Sequence, residues 1–253
     1  MKIRFLGTHN AQALCFAHTC FMLDNRLLFD CGSAASCLDL NEQLALRGIF
    51  ITHSHYDHIK DMPAIAMNRF LNGQHLPPMS VTALLSTLDD IKKYLFDGDI
   101  YSDFFKKNTL VTTEAQLGIS FEFDGYQVTP IESIHKLPCI GYAVQKNGHS
   151  FYYTGDTATG FAQNFIKSGL FCHVLIAECT LENSLKGTTL HLTPNELKEE
   201  LELIKIYQGF YPTVFAVHRS AKQEINILQE IKQVSDELNT EIFCPVEDTE
   251  IEF

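Results

Sequence analysis

Between residues 52 and 58 the chain reads Thr-His-Ser-His-Tyr-Asp-His, which places the imidazoles of His53, His55 and His58 and the carboxylate of Asp57 within six residues. With 11 histidines in 253 residues, roughly one chain in a thousand would contain this arrangement by accident. Side chains at i and i+2 of an extended stretch share a face, so His53 and His55 can approach one ion together. Once the chain turns, Asp57 and His58 can face a second ion beside the first. Imidazole and carboxylate without thiolate suit Zn²⁺, and also Mn²⁺ or Fe²⁺, and leave positions open for water. Two such ions about 3.5–4 Å apart would lower the pKa of a shared water and polarise the bond under attack, which is the chemistry of metal-assisted hydrolysis.

The string His53-Ser54-His55-Tyr56-Asp57-His58 resembles the H-x-H-x-D-H motif of the metallo-β-lactamase superfamily. On that resemblance, His135 in Ile134-His135-Lys136 matches the family's third histidine. Asp156 in Thr154-Gly155-Asp156-Thr157 matches its bridging aspartate, and His218 in Val217-His218-Arg219 its last histidine. The resemblance covers nearly the whole chain. It implies an α/β fold in one domain over 1–253, a four-layer αββα sandwich of two mixed β-sheets flanked by helices. It implies two divalent ions, with Zn²⁺ first among them, in a cleft at the sheet edges. His53, His55 and His135 would hold one ion, Asp57, His58 and His218 the other, and Asp156 would bridge them.

His191, which precedes a helix cap at Thr193, matches a histidine that the ribonuclease Z-like and cyclic-nucleotide phosphodiesterase-like branches use as an acid or phosphate contact. Asp57 and His191 are therefore the expected catalytic groups. Phe29-Asp30-Cys31-Gly32 and Ala177-Glu178-Cys179-Thr180 also resemble these branches. Two departures point away from transfer RNA as substrate. Ser-Ala-Ala follows Gly32 where ribonuclease Z has Glu-Gly-Thr, and only 20 residues separate His135 from Asp156, too few for that enzyme's clamping arm. The expected substrate is a small phosphodiester such as a cyclic or short nucleotide. A lactone or thioester hydrolase, an iron-dependent sulfur dioxygenase and a non-catalytic carrier are the competing functions on the same fold.

The elements that must position these groups are legible in outline. Short β-rich runs at 3–7, 19–23 and 27–29, with Asp24-Asn25 as a hairpin turn, open the chain. A helix over 41–47 stopped by Gly48 and a strand over 49–52 lead into the histidine cluster. Residues 60–110 read as helical and irregular, with a helix at 86–96 and a short strand at Val81, and are the expected place for a substrate-covering insertion. Strands follow at 120–123, 126–131, 141–145 and 150–153, joined by Asp124-Gly125 and Asn147-Gly148 turns. Beyond Asp156 helix and strand alternate: helices at 162–168, 194–207 and 222–238, strands at 174–177 and 213–217. Thr193, Pro194 and Glu196 form a capping-box signature.

Composition bounds the rest. An apolar fraction of 45% and a charged fraction of 20% describe a globular chain, and no run of about 18 apolar residues occurs to span a membrane. The net charge of −12 opposes a broad polyanion-binding face, so long nucleic acid is an unexpected partner. The eight cysteines show no C-x-x-C pair. Reduced thiols and a cytoplasmic location are expected, with no membrane partner and a homodimer compatible with the composition.

Overall fold

A computed structural model describes residues 1–98, 102–188 and 190–253. In chain order the first half contains β1 (Lys2–Gly7), β2 (Cys20–Leu23), β3 (Leu27–Phe29), α1 (Ala34–Cys37), α2 (Leu40–Ala45), β4 (Gly48–Phe50), α3 (Tyr56–Ile59), α4 (Met62–Asn72), β5 (Met79–Ala83), α5 (Leu85–Leu95) and β6 (Leu110–Glu114). The second half continues with β7 (Phe121–Phe123), β8 (Tyr126–Ser133), β9 (Cys139–Lys146), β10 (His149–Tyr153), α6 (Phe161–Lys167), β11 (Val174–Glu178), α7 (Pro194–Gln208), β12 (Thr213–Val217), α8 (Glu224–Leu238), β13 (Ile242–Phe243) and β14 (Glu250–Glu252). These elements form two compact units, one from residues 1–8, 12–115 and 246–253, the other from 9–11 and 116–245.

Each unit is built on one mixed sheet, seven-stranded among the described residues. The first has the order β14-β1-β2-β3-β4-β5-β6 and the second β13-β12-β11-β10-β9-β8-β7. Both run antiparallel through their hairpins and parallel through their helix-connected strands. Hairpin turns fall where expected, because Asp24-Asn25, Asp124-Gly125 and Asn147-Gly148 all take positive φ, the backbone that two-residue turns between twisted strands require. In the first unit Leu28, Ile49 and Val81 on the strands pack with Ile59, Ile65, Leu88 and Ile91 on the helices. Phe21, Phe29 and Phe50, alternating with them, stack ring to ring at 4.9 and 5.0 Å. In the second unit Leu175, Ala177, Val214 and Ala216 pack with Phe161, Phe165, Leu197, Leu201, Ile227 and Ile231.

Two expectations are corrected. Gly48 does not stop a helix. Helix α2 ends at Ala45, Leu46 is already extended, and Gly48 opens β4, paired with Leu27 of β3 and Ser80 of β5. Residues 60–110 carry the expected helix as α5 and the expected strand as β5, but they are more regular than expected, since α4 precedes them and β5 pairs with both β4 and β6 to extend the sheet. Residues 99–101 of that segment lie outside the description. Strands β6, β13 and β14 carried no usable pattern; β14 has only Ile251 between two glutamates and is secured by its ladder to β1 and a Lys2–Glu250 ion pair at 2.8 Å.

All eight cysteines are free. Burial pushes the thiols of Cys20, Cys31 and Cys179 well up and that of Cys172 to about 12, so these behave as small apolar core residues. Among the described residues no helix is long and apolar enough to cross a membrane.

Glu200 on α7 shows how the helices of the second unit are tied together. Its buried carboxylate accepts the Gly160 N–H at 2.7 Å and the Ala162 N–H at 2.8 Å, satisfying donors at the start of α6. Charge-assisted bonds at a helix start stabilise by about 1.5–3 kcal/mol each when buried. Glu200→Ala is expected to lower unfolding free energy by about 2–4 kcal/mol, measured by urea denaturation; a loss below 0.5 kcal/mol would remove this role.

Candidate metal centre

In the first unit the histidine cluster begins three residues beyond β4, at the carboxyl end of a parallel strand. Asp30, which follows β3 with φ of 54°, is fully buried and organises it. Its carboxylate accepts the Thr52 N–H at 2.9 Å and the Thr52 hydroxyl at 3.1 Å, and its Oδ2 lies 2.7 Å from His58 Nδ1. Because the Thr52 hydroxyl spends its proton on Asp30, it accepts from Nδ1–H of His53, 3.0 Å away. This network assigns the proton of both rings to Nδ1 and leaves the Nε2 lone pairs for a ligand. His53 Nε2 lies 2.8 Å from His55 Nδ1, near the roughly 3.3 Å that two donors on one tetrahedral ion would show at bonds of 2.0–2.1 Å. Asp57 Oδ2 lies 3.6 Å from His58 Nε2. Ser54 donates to Asp90 of α5 at 2.7 Å, fixing the loop between His53 and His55.

The second unit repeats this wiring on different residues. Glu178 ends β11, is buried, and accepts the Thr157 N–H at 2.6 Å, the Thr180 hydroxyl at 2.6 Å and the Leu192 N–H at 3.1 Å. Its Oε1 lies 2.9 Å from His191 Nδ1. The Thr180 hydroxyl, its proton given to Glu178, accepts from Nδ1–H of His218 at 2.9 Å. His218 Nε2 lies 3.4 Å from Asp156 Oδ1, and Asp156, His191 and His218 offer ligand atoms within 4.8 Å of one another. His218 has φ of 60°, a backbone cost of about 1–2 kcal/mol for such a residue that marks a site under functional constraint. His135 and Asp156 also offer atoms within 4.8 Å of each other. Their loops are bound together, Ile134 N–H to Thr157 Oγ1 at 3.0 Å and Ala158 N–H to Ile134 O at 2.8 Å. The capping box at Thr193 is present and fixes α7 directly after His191.

All the residues singled out from the sequence thus cluster within their own unit: His53, His55, Asp57 and His58 in the first, His135, Asp156, His191 and His218 in the second. The donor chemistry fits divalent metal, because four imidazoles are held through Nδ1 by a carboxylate directly or through a threonine, the arrangement that orients metal-bound histidines. Asp30, Thr52, Glu178 and Thr180 are the residues the sequence reading left without a role. For Asp30, Glu178 and Thr180 the signal was present in the two strand-end tetrapeptides, but a buried acid cannot be told from a turn residue without its partners.

Gly32 has a steric function beside Asp57. A Cβ there would lie 1.9 Å from the Asp57 carbonyl oxygen and 2.6 Å from His18 Cβ, so one of these backbones must move. Gly32→Ala is expected to cost about 1–3 kcal/mol and to reduce bound metal, measured by thermal unfolding and metal content together; wild-type values of both would show that the contact relaxes freely.

Comparison with solved structures places the chain among proteins of metallo-β-lactamase fold. The metallo-β-lactamase fold protein YhfI of Bacillus subtilis is 17% identical over 100% of this chain and 99% of its own, with a TM-score of 0.80. Unliganded yeast PDE1 is 15% identical over 100% and 99%, with a TM-score of 0.82. The family model described as "Beta-lactamase superfamily domain" matches residues 25–218, and the chain belongs to that family. A ribonuclease Z of Bacillus licheniformis is 32% identical over 127 residues, which are 47% of this chain and 38% of that relative. The chain therefore matches well under half the length of this curated relative.

Proposed function

We propose that this chain is a metal-dependent phosphoric diester hydrolase acting at a dinuclear centre. The observation that carries it is the pair of carboxylate relays, Asp30 to His53 and His58 and Glu178 to His191 and His218, which leave Nε2 of His53, His58 and His218 as lone-pair donors and place His191 directly on a carboxylate that supports its imidazolium form. Family membership supports assigning His53, His55 and His135 to one ion, Asp57, His58 and His218 to the other, and Asp156 to both. It also supports taking residues 1–253 as one domain.

When bound, divalent ions, with zinc preferred over manganese or iron, supply Lewis acidity that favours hydroxide at neutral pH and polarises phosphoryl oxygens. The chain's own residues do the rest. Asp57, whose side chain is 24% exposed, orients the attacking water by accepting its hydrogen bond. His191, 25% exposed and tied through Nδ1 to Glu178, gives a proton from Nε2 to the departing oxygen, and the Glu178 carboxylate stabilises the imidazolium that does so.

The substrate class is a phosphodiester, of which a small nucleotide diester is the preferred member. Supporting this, the interval from His135 to Asp156 holds only β9, a two-residue turn and β10, so no arm extends there. The relatives named ribonuclease Z give no support to excluding long nucleic acid, and the charge of −12 alone does not exclude it. Free, mostly buried thiols support a cytoplasmic location.

The test is metal content by plasma mass spectrometry on freshly purified protein, paired with cleavage of bis(p-nitrophenyl) phosphate with and without added Zn²⁺ or Mn²⁺. Near two metals per chain and metal-dependent cleavage support the proposal. One iron per chain with no diester cleavage would replace it with the dioxygenase reading.

A further inference from the structure

The chain has five arginines. Arg4 pairs with Asp248 at 2.9 Å and also with Glu42, and Arg219 pairs with Glu224 at 3.1 Å. The other three, Arg26, Arg47 and Arg69, line a single cavity of about 420 Å³ in the first unit. Among the described residues Arg47 and Arg69 have no carboxylate partner.

Arg69, on α4, is 4% exposed. Its guanidinium donates to three main-chain carbonyls, Leu44 at 3.1 Å, Leu46 at 3.2 Å and Pro77 at 2.6 Å. Those bonds use three of its five N–H groups and neutralise none of its charge. Burial lowers its pKa from the usual arginine value, and the positive charge of Arg47 lowers it further. A buried cation beside a second cation in a chain of net charge −12 raises the local potential where the rest of the surface repels anions. Asp24 is the one acidic residue on the cavity wall, and its Oδ1 accepts the Lys2 N–H at 2.6 Å.

The place of the cavity separates it from the histidine cluster. Arg47 immediately precedes β4 and Arg26 precedes β3, whereas His53 and Asp30 follow the far ends of the same strands. Six residues of extended chain put Arg47 roughly 20 Å from His53. A second cavity of about 230 Å³, which shares Arg69 and adds Lys107, adjoins the first. Together they have the size of a site for a ligand larger than one phosphate group.

We propose that this arginine-lined cavity is a second anion site, which takes a small polyphosphate, such as pyrophosphate or the polyphosphate end of a nucleotide, independently of the metal centre. Guanidinium groups match phosphate oxygens in pairs, and Arg47 and Arg26 are exposed at the rim where they can close on such a ligand.

The experiment is calorimetric titration of pyrophosphate into the metal-free 253-residue chain at low salt. One site per chain is expected, weakened about tenfold or more in Arg47→Gln and lost in Arg26→Gln/Arg47→Gln, but unchanged in Asp57→Ala. Both rim arginines are exposed, so the variants should unfold at the wild-type temperature and Arg47→Gln should cleave diester normally in the absence of pyrophosphate. Affinity within twofold of wild type in the double variant, loss of binding in Asp57→Ala, or no binding by the wild type would overturn the proposal. Glutarate binding as tightly as pyrophosphate would show a general anion site and overturn the phosphate assignment.

Discussion

Asp156→Ala and Asp57→Ala chains should each leave purification with less metal than wild type and cleave bis(p-nitrophenyl) phosphate at least about a thousandfold more slowly. Asp156 carries the larger consequence of the two. It is 2% exposed and lies 3.4 Å from His218, with His135 and His191 also within reach. Removing it takes the one carboxylate out of a group of imidazoles and leaves their donor atoms without a shared anionic neighbour. Asp57 is more exposed, so its loss should spare stability while removing metal and rate. Thermal unfolding of the metal-free forms separates these effects. Asp57→Ala should unfold at nearly the wild-type temperature, and a rate within tenfold of wild type in either variant would remove that residue from the centre.

Replacing His191 by alanine should slow diester cleavage by about 10²–10⁴-fold when the leaving group is a poor one such as an alkyl or nucleoside alcohol. The loss should be far smaller for p-nitrophenolate, which departs without needing a proton. Metal content should stay at the wild-type level, because His191 is assigned to proton donation and not to binding ions. Glu178→Gln should reproduce part of the rate loss and also reduce metal, since that carboxylate reaches His191 directly and His218 through Thr180; the amide keeps the shape but loses the charge and turns an NH2 toward donors that one carboxylate oxygen accepts. An equal loss for both leaving groups in His191→Ala would reassign His191 to substrate binding. Loss of metal in the same variant would make it a ligand.

The candidate site was legible to unequal degrees. His53, His55, Asp57 and His58 stood out because their spacing is local, set by one strand end and one turn. His135, Asp156, His191 and His218 are spread over 84 residues and became candidates only through resemblance. Asp30 and Glu178 lay in segments that the resemblance singled out but gained no role from it, since what distinguishes each is a set of partners brought in by a neighbouring strand. Asp30 gains His58 and Thr52 from the chain beyond β4, and Glu178 gains Thr157, Thr180 and Leu192.

The same contrast runs through the fold. Hairpins with Asp-Asn, Asp-Gly and Asn-Gly turns, the helix opened by Thr193 and the strands 27–29 and 213–217 were fixed by local chemistry: left-handed φ at small polar residues and glycine, a capping side chain, β-branched and aromatic runs. Gly48 as a strand residue, β6 in a segment that reads as irregular, and β14 with its two glutamates depend on a ladder partner far away in sequence. Residue types and short-range spacing therefore determined that this chain would carry a metal-suited histidine and aspartate set on a mixed α/β framework. Only the tertiary structure decided which buried acid holds which imidazole and where three arginines meet, because those pairings arise from strands that become neighbours on folding, and burial gives them their strength.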